Sequence, residues 1–115
     1  MKAPKDVLYT GFYSRGVAKI RRQNPDGKRT TLRPAASQKV WNHSPDGFNW
    51  GYGGSGPAQT ALALLLDWTR DAQLARELHQ PFKWAIVARW PEGGPWSLTG
   101  HEISAAIQRI RDERA

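Results

Sequence analysis

The sequence contains no cysteine and no long apolar run. Without cysteine the chain can form no disulfide, no thiolate metal site and no cysteine nucleophile. The longest apolar run, residues 61–66, is far shorter than the roughly 20 residues that a membrane-spanning helix needs. The first six residues lack the apolar core of a signal peptide. These absences predict a cytoplasmic protein that does not enter a membrane.

The composition is that of a globular protein. Of the 115 residues, 39% are hydrophobic and 23% are charged, and six are tryptophan. A chain of this length can bury one core but not two, so we expect a single domain over residues 1–115. The tryptophans supply much of the surface that such a core needs.

Acidic residues are almost absent from the first third of the chain. Residues 1–39 hold ten Lys or Arg and only two Asp, a net charge of +8, whereas residues 40–115 hold seven basic and eight acidic residues, a net charge of −1. A charge confined to one part of a domain predicts contact with nucleic acid or with an acidic protein surface. The alternative is a solvated face that only aids solubility.

Much of this charge lies on a predicted β-hairpin. Residues 17–23 and 28–33 flank Asn24-Pro25-Asp26-Gly27, in which proline and glycine occupy favourable turn positions. The basic residues that we expect to contact nucleic acid or another partner are Arg15, Lys19, Arg21, Arg22, Lys28, Arg29 and Arg33. No single face of strand alternation contains all of them, and the aromatic residues Tyr9, Phe12 and Tyr13 are close in sequence. The segment lacks the signatures of a helix-turn-helix, a zinc finger or an RNP motif.

A glycine-rich loop, Gly51–Gln59, leads directly into an apolar helix. Because a helix N-terminus offers free N–H groups and a positive dipole end, this loop is a candidate anion site. The residues expected to form it are Gly53, Gly54, Ser55, Gly56, Gln59 and His43. The alternative is that the glycines only allow a tight turn and cap the helix. The spacing matches neither a P-loop nor a dinucleotide-binding fingerprint, and Pro57 argues against a nucleophile elbow at Ser55.

No residue pattern predicts catalysis, a metal site or a cofactor. The three histidines lack metal-ligand spacing, and no pair of carboxylates is placed for acid–base chemistry. His79 is expected at a helix end and His101 in a first helical turn. His43 is the one histidine that we consider a functional candidate, with a hydrogen bond in a turn as the alternative role.

The remaining patterns predict an α+β fold: a small antiparallel sheet with a buried central helix and a C-terminal amphipathic helix. Residues 7–13 are predicted to form a strand with a bulge at Gly11, and Ser37–Trp41 and Phe48–Trp50 to form short strands. A turn or helix over Asp71–His79 is expected to stop at Pro81.

The C-terminal third is predicted to contain one more strand and one more helix. The alternation in Phe82–Trp90 makes this segment the clearest strand of the chain. Thr99-Gly100-His101-Glu102 matches a capping box, which predicts a final helix. The inner face of that helix would consist of Ile103, Ala106, Ile107 and Ile110.

The segment His43–Ala63, HSPDGFNWGYGGSGPAQTALA, resembles the signature of a small domain family of unknown function found in bacteria, phages and mobile elements. The hairpin before it and the segments around Phe82–Trp90 and Leu98–Ile103 are also similar. The resemblance implies an accessory protein of a mobile element, and such proteins often bind and inhibit host machinery, including CRISPR-type defence complexes.

Two function hypotheses follow. The first is a non-catalytic binding protein whose basic hairpin contacts nucleic acid or a nucleoprotein complex, as an inhibitor of host defence of the anti-CRISPR type. It predicts that reversing Arg21, Arg22 and Arg29 to Glu abolishes binding and leaves the fold intact. The second is a small-molecule, anion-binding or enzymatic site at Gly51–Gln59. A purely structural or oligomer-forming role is a third possibility.

Overall fold

Four strands form one antiparallel sheet in the computed structural model, which describes residues 6–114. The strands are β1 (Leu8–Ser14), β2 (Val17–Gln23), β3 (Arg29–Leu32) and β4 (Trp96–Thr99), and their order in the sheet is β3-β2-β1-β4. The two-residue turn Arg15-Gly16 joins β1 to β2 with positive φ angles of 52° and 77°, as a tight hairpin turn requires. β2 and β3 pair antiparallel on either side of the Asn24–Gly27 turn, so the predicted hairpin is confirmed. β1 and β2 form a second hairpin that shares β2 with the first.

The helices are α1 (Pro34–Val40), α2 (Ser55–Thr69), α3 (Ala72–Ala85) and α4 (Gly100–Arg114), with a 3₁₀ turn at Val87–Arg89. Together with the antiparallel sheet they make the fold α+β, as the sequence predicts. The capping box is confirmed, because the Thr99 N–H donates to Glu102 at 2.9 Å and the Glu102 N–H donates to the Thr99 hydroxyl at 3.1 Å.

The sheet has one covered face and one open face. Strand alternation directs Tyr9, Ile20, Trp96 and Leu98 to the covered face, where all four are buried. They share one hydrophobic core with the helices, to which α4 contributes its predicted inner residues. No side chain that the strands direct to the other face is buried.

The centre of the core is α2. Every residue from Gly56 to Leu65 is buried, which is typical of a helix that is apolar on nearly all sides. Gly54 precedes the helix in an extended conformation, and Arg70 ends it in the left-handed region at φ 57°. The predicted central helix is thus confirmed, with Pro57 in its first turn.

The strand predicted over Phe82–Trp90 is wrong. Helix α3 starts at an Asp71 cap, continues through Pro81 to Ala85, and is followed by the 3₁₀ turn. Proline inside a helix costs about 3 kcal/mol, and here the burial of Leu78, Phe82 and Val87 along one side offsets that cost. His79 consequently lies in the middle of a helix and not at its end. Trp84, which alternation placed inside a sheet, is 57% exposed.

Two short strands predicted earlier in the chain are also absent from the described residues. Ser37–Trp41 belongs largely to α1, because Pro34 occupies its first turn and the Ser37 hydroxyl donates to the Pro34 carbonyl at 2.9 Å. Phe48–Trp50 is irregular. Its backbone bonds to α2 and not to a strand: the Asn49 carbonyl accepts from the Thr60 hydroxyl at 2.7 Å.

The bulge predicted at Gly11 does not occur. β1 pairs with β2 in unbroken register from Leu8 to Ser14, and Gly11 lies opposite both Ile20 and Trp96. A Cβ at Gly11 would fall 2.0 Å from the Trp96 indole nitrogen. The glycine therefore makes room for an indole ring instead of bending the strand.

Candidate functional site

The open face of the sheet carries a cluster of basic residues. We call this surface the open face; it comprises positions 8, 10, 12 and 14 of β1, 17, 19, 21 and 23 of β2, 29 and 31 of β3, and 97 and 99 of β4. Lys19, Arg21 and Arg29 project from it, and none of the strand residues at these positions is acidic. Within the described residues none of the three cations forms an ion pair, so their charge is not neutralised inside the protein.

Side chains on the open face are partly ordered by one another. The Arg21 guanidinium lies 4.8 Å from the centre of the Phe12 ring, and the Arg29 Nε donates to the Gln23 amide oxygen at 3.2 Å. Phe12 is the aromatic residue of β1 that this face presents. Cations and an aromatic ring are thus in contact on the open face.

Arg22 is on the other side of the sheet. Its guanidinium forms an ion pair with Asp67 of α2 at 3.1 Å, and the same carboxylate accepts from the Tyr9 hydroxyl at 2.6 Å. Burial and this bond to Asp67 raise the pKa of Tyr9. Arg22, Arg33 and Asp67 line a groove of about 710 Å³ between the hairpin, α1 and α2. Because Arg22 is paired, it is less available to a partner than Arg21.

The other predicted basic residues lie around the edges of the sheet. Arg15 is in the β1–β2 turn, Lys28 is at the tip of the second hairpin, and Arg33 precedes α1; all three are exposed. The structure therefore brings three of the seven predicted basic residues onto the open face, leaves three around its edges and places Arg22 on the covered face.

Two of the three aromatic residues predicted near the hairpin belong to the covered face by strand alternation, and Tyr13, at the end of β1, is 38% exposed there. Tyr9 is fully buried, and the Tyr13 hydroxyl donates to the Asn49 side chain while its ring packs edge-on to Trp50 at 5.2 Å. Burial raises the pKa of Tyr13. Neither ring adds to the open face.

The glycine-rich loop packs closely against aromatic rings. A Cβ at Gly53 would fall 2.1 Å from the Trp84 ring, and a Cβ at Gly54 would fall 2.5 Å from the Tyr52 ring. Gly51 has a φ of 87° and touches the backbone of Glu92. Several of these positions therefore require glycine because a larger side chain would overlap the neighbouring rings or backbone. Ser55 is exposed at the first position of α2, and Gly56 is buried against Asn49.

Gln59, which we expected to face an anion, is buried and fully bonded within the protein. Its amide oxygen accepts from the N–H groups of His43 at 2.8 Å and Ser44 at 3.0 Å. Its amide nitrogen donates to the Ser37 hydroxyl at 2.9 Å and the Trp41 carbonyl at 3.1 Å. Gln59 thus fixes the turn that carries His43.

His43 contacts a second histidine that the sequence pattern did not connect to it. The Nε2 atoms of His43 and His79 are 2.8 Å apart, and Trp41 stacks on His43 with 4.6 Å between ring centres. His79 Nδ1 lies 3.0 Å and 2.8 Å from the carbonyls of Ala75 and Arg76. Since carbonyls only accept, Nδ1 of His79 carries its proton, so His43 Nε2–H donates to His79 Nε2.

Lys83 completes this cluster. It follows His79 by one helical turn, is buried at 6% exposure, and its Nζ lies 3.4 Å from the Gly53 carbonyl oxygen. Burial is the main cause that lowers the pKa of both histidines, and the Lys83 charge lowers both further. His43 is also affected by His79.

The sequence does contain a signal for His79 and Lys83. The i, i+4 spacing places them on one side of a helix with Ala75. The prediction that Pro81 ends the helix concealed this relation.

Other classes of site find no support in residues 6–114. No group of three or more His, Asp or Glu there could hold a metal ion. None of the described helices is long and apolar enough to cross a membrane. His101 is in the first turn of α4, as expected, and lies 3.2 Å from Asp6. The absence of catalytic groups and cofactors stays a prediction.

Comparison with known proteins gives one result. Neither the curated proteins nor the solved structures yield a significant match to this chain. A family model, described as a family of unknown function (DUF6166), matches residues 9–109, which include all of the sheet except Leu8 and the whole glycine-rich loop. The chain therefore belongs to the family of unknown function DUF6166.

Proposed function

We propose that this protein is a non-catalytic nucleic-acid-binding protein and that its open face is the binding surface. One observation carries the proposal: Lys19, Arg21 and Arg29 project with Phe12 from a sheet face that none of the described helices covers and on which the four strands place no acidic residue. A polyanion is the partner that such a surface favours, because counterion release drives its association with clustered cations.

The geometry favours a single strand over a duplex. An antiparallel sheet with one uncovered face presents its side chains in rows, on which unpaired bases can stack while the backbone follows the cations. The Arg21 guanidinium lies over the Phe12 ring, so the pair offers a planar cation and an aromatic ring to a base or a phosphate. No described helix lies on this face to enter a major groove, which is the usual way of reading duplex DNA.

The salt dependence of binding tests this proposal. Fluorescence anisotropy would follow a labelled single strand of about 12 nucleotides, as DNA and as RNA, over a range of KCl concentrations. In the variant K19Q/R21Q/R29Q we expect weaker binding and a slope of log K against log [salt] that is shallower by about 2, since each lost phosphate contact removes roughly 0.7.

The matched control removes the same charge from another surface. Arg109, Arg111 and Arg114 are exposed on α4, so R109Q/R111Q/R114Q should keep most of the wild-type affinity and slope. Equal losses in the two variants would show a response to net charge only, and no measurable wild-type binding would refute the proposal. Tighter binding to the matching duplex would refute the preference for a single strand.

Phe12→Ala separates stacking from charge. Loss of one stacking surface should weaken binding about fivefold, at the lower end of the 1 to 3 kcal/mol typical of base–aromatic contacts. The salt slope should not change, because no phosphate contact is lost. A changed slope with unchanged affinity would contradict the assigned role of Phe12.

Reversing the charge of Arg22, as the sequence suggested, would not test binding alone, because Arg22 pairs with Asp67. Arg22→Glu would place a carboxylate beside Asp67, at an ion pair whose side chains are only 24% and 23% exposed. That change is expected to perturb the fold as well as binding. Lys19 therefore replaces Arg22 in the variant above.

Inhibition of a host defence complex is the more specific form of this proposal. It rests on the genomic association of resembling proteins, and a nucleoprotein target would present the same phosphates to the open face. A tagged protein would be recovered from host lysate with and without nuclease. A defined protein complex that resists nuclease and is lost in K19Q/R21Q/R29Q supports the inhibitor role. Recovery that nuclease abolishes favours direct binding to nucleic acid.

A further inference from the structure

β3 is an edge strand, and its outer backbone is open. The sheet order places no strand beyond β3, which pairs with β2 only. The Asn24 N–H donates to the Lys28 carbonyl oxygen at 2.8 Å, and bonded and non-bonded pairs alternate from there along the antiparallel ladder. Arg29 and Thr31 therefore direct their N–H and C=O groups away from β2. Among residues 6–114 these outward groups have no hydrogen-bond partner.

The groove between the hairpin, α1 and α2 runs beneath this edge. It has a volume of about 710 Å³ and lies between Thr30–Arg33, α1 and the C-terminal half of α2. Leu32, Ala63 and Leu66 give it apolar walls. Because successive side chains of a strand point to opposite faces, a segment added beside β3 would direct every second side chain into the groove. An open edge with a side-chain pocket along it is the arrangement by which sheets bind extended peptides.

The charge around the edge is positive. Arg33 and Arg70 line the groove, are exposed, and form no ion pair within the described residues. Arg70 donates through Nε to the Asp67 backbone carbonyl at 3.1 Å, which leaves its two terminal nitrogen atoms for a ligand. The Asp67 carboxylate, the one acidic group among the described residues that line the groove, is already paired with Arg22. A segment with acidic side chains is therefore the complementary partner.

A second copy of this chain fits the edge poorly. Antiparallel pairing of two β3 strands about a twofold axis at Thr31 would set Arg29 of one copy opposite Arg33 of the other. Like charges directly opposite each other in a sheet are destabilising. The edge therefore favours a different, acidic strand over self-association.

We propose that the β3 edge binds an extended acidic segment of a partner protein as a fifth strand of the sheet. The backbone of the segment pairs with the outward N–H and C=O groups of Arg29 and Thr31. Its groove-facing side chains contact Leu66 and the guanidinium groups of Arg33 and Arg70. The site uses the edge of the sheet and not the open face, so it does not depend on the proposed function.

NMR titration with defined peptides tests the site. The ¹⁵N-labelled protein would be titrated at physiological ionic strength with a blocked peptide of about eight residues that alternates Glu and Val. We expect saturable shifts that centre on the amides of Arg29, Thr31 and Arg70. A matched peptide that alternates Lys and Val should not bind. No saturation by the acidic peptide, or equal affinity for the two peptides, would overturn the proposal.

Hydrogen exchange identifies the mode of binding. In the free protein the Thr30 and Leu32 amides are bonded to β2, whereas the Thr31 amide is open to solvent. Saturating acidic peptide should slow exchange at Thr31 about tenfold or more and change Thr30 and Leu32 little. Binding that leaves Thr31 unprotected would refute strand addition. Protection of Thr31 that rises with protein concentration and no peptide would show a second copy at the edge and would refute the acidic partner.

Two variants separate the backbone bonds from the charge. Thr31→Pro removes an outward N–H, which an edge strand tolerates, and should abolish peptide binding, whereas the matched control Thr31→Val keeps the N–H and should bind like the wild type. R33Q/R70Q should weaken binding about tenfold through the loss of two charge contacts. Its control R109Q/R111Q, on the exposed side of α4, should bind like the wild type. Wild-type affinity in both Thr31→Pro and R33Q/R70Q would refute the site.

Modified peptides keep the test decisive if Thr31→Pro is poorly folded. The acidic peptide would be N-methylated at its odd residues in one version and at its even residues in another. Only alternate N–H groups of an added strand face β3, so one version should lose binding and the other should retain it. Equal affinities of the two versions would refute strand pairing. K19Q/R21Q should bind the acidic peptide like the wild type, so failure of the open face and failure of the β3 edge are distinguishable.

Discussion

Two neighbouring arginines lie on opposite faces of the sheet and have different partners. Arg21 and Arg22 are adjacent on β2, yet Arg22 lies on the covered face and pairs with Asp67 at 3.1 Å, while Arg21 lies on the open face and contacts the Phe12 ring. One arginine is part of the structure, and the other has its charge available for a partner. The period of two along a strand produces this division.

The comparison shows that the charge of a segment does not measure its binding capacity. The first 39 residues carry a net charge of +8, but Arg22 satisfies a carboxylate of α2, and Arg15, Lys28 and Arg33 lie at edges. The capacity to bind a polyanion is better measured by the number of cations on one surface that have no acidic partner within the protein. Changes made to one face at a time can test this view.

The largest expected effect belongs to the covered face. Gly11→Ala would place a methyl group 2.0 Å from the Trp96 indole, which is itself stacked on Trp90 with ring centres 3.9 Å apart. The ring must move within a packed core, so we expect a loss of about 2 to 3 kcal/mol in the free energy of unfolding, measured by urea denaturation.

The control is the adjacent residue on the open face. Thr10→Val changes a partly exposed side chain and should alter stability by less than about 0.5 kcal/mol. Similar losses in Gly11→Ala and Thr10→Val would mean that the two faces are not packed differently, and the distinction between them would fail.

An intermediate effect is expected from the two arginines themselves. Arg22→Gln removes the ion pair to Asp67 and leaves that partly buried carboxylate with the Tyr9 hydroxyl, which should lower the free energy of unfolding by about 1.5 kcal/mol. Arg21→Gln should cost less than about 0.5 kcal/mol but should weaken binding to single strands. The contrast is the result to measure: stability by urea denaturation and affinity by anisotropy, for both variants.

Asp67→Asn offers an independent check. It should destabilise the protein by a similar amount, because Arg22 loses its partner. The affinity for nucleic acid should not change, because Arg22 still lies on the covered face, away from the proposed binding surface. If Asp67→Asn instead strengthened binding markedly, Arg22 would be reaching the ligand, and the assignment of the two faces would need revision.

Local chemistry made part of the fold predictable. The hairpin, the central helix and the capping box depend on residues close in sequence, namely Asn24–Gly27, Pro57 and the Thr99/Glu102 pair, and all three are present. The failed predictions depend on tertiary contacts. Gly11 suggested a bulge, but the reason for the glycine is Trp96, which lies far along the chain on β4.

The segment after Pro81 shows the same limit. Alternating apolar residues in Phe82–Trp90 favour a strand. In the structure Leu78, Phe82 and Val87 are buried in the core from one side of α3 and from the 3₁₀ turn, so packing against the core outweighs the local pattern. Because the helix was predicted to end at Pro81, Lys83 was not connected with His79, which lies one helical turn before it. The i, i+4 spacing of His79 and Lys83 was present in the sequence, but the strand predicted for this segment separated the two residues.

The smallest expected effect concerns pH and the corner around His43. Burial and Lys83 lower the pKa values of His43 and His79 in the folded protein, so between those values and the unfolded value of about 6.5 the unfolded chain binds more protons. Stability should therefore fall as pH drops through about 6.5 and level off below the folded pKa values. The loss is modest because His43 is only half-buried.

Urea denaturation between pH 8 and pH 5 measures this slope. The double variant H43Q/H79Q should flatten it, whereas His101→Gln, which changes an exposed histidine beside Asp6, should leave this component in place. An unchanged slope in H43Q/H79Q would mean that other groups govern the acid response, and the cluster around Lys83 would then be electrostatically weaker than its geometry indicates.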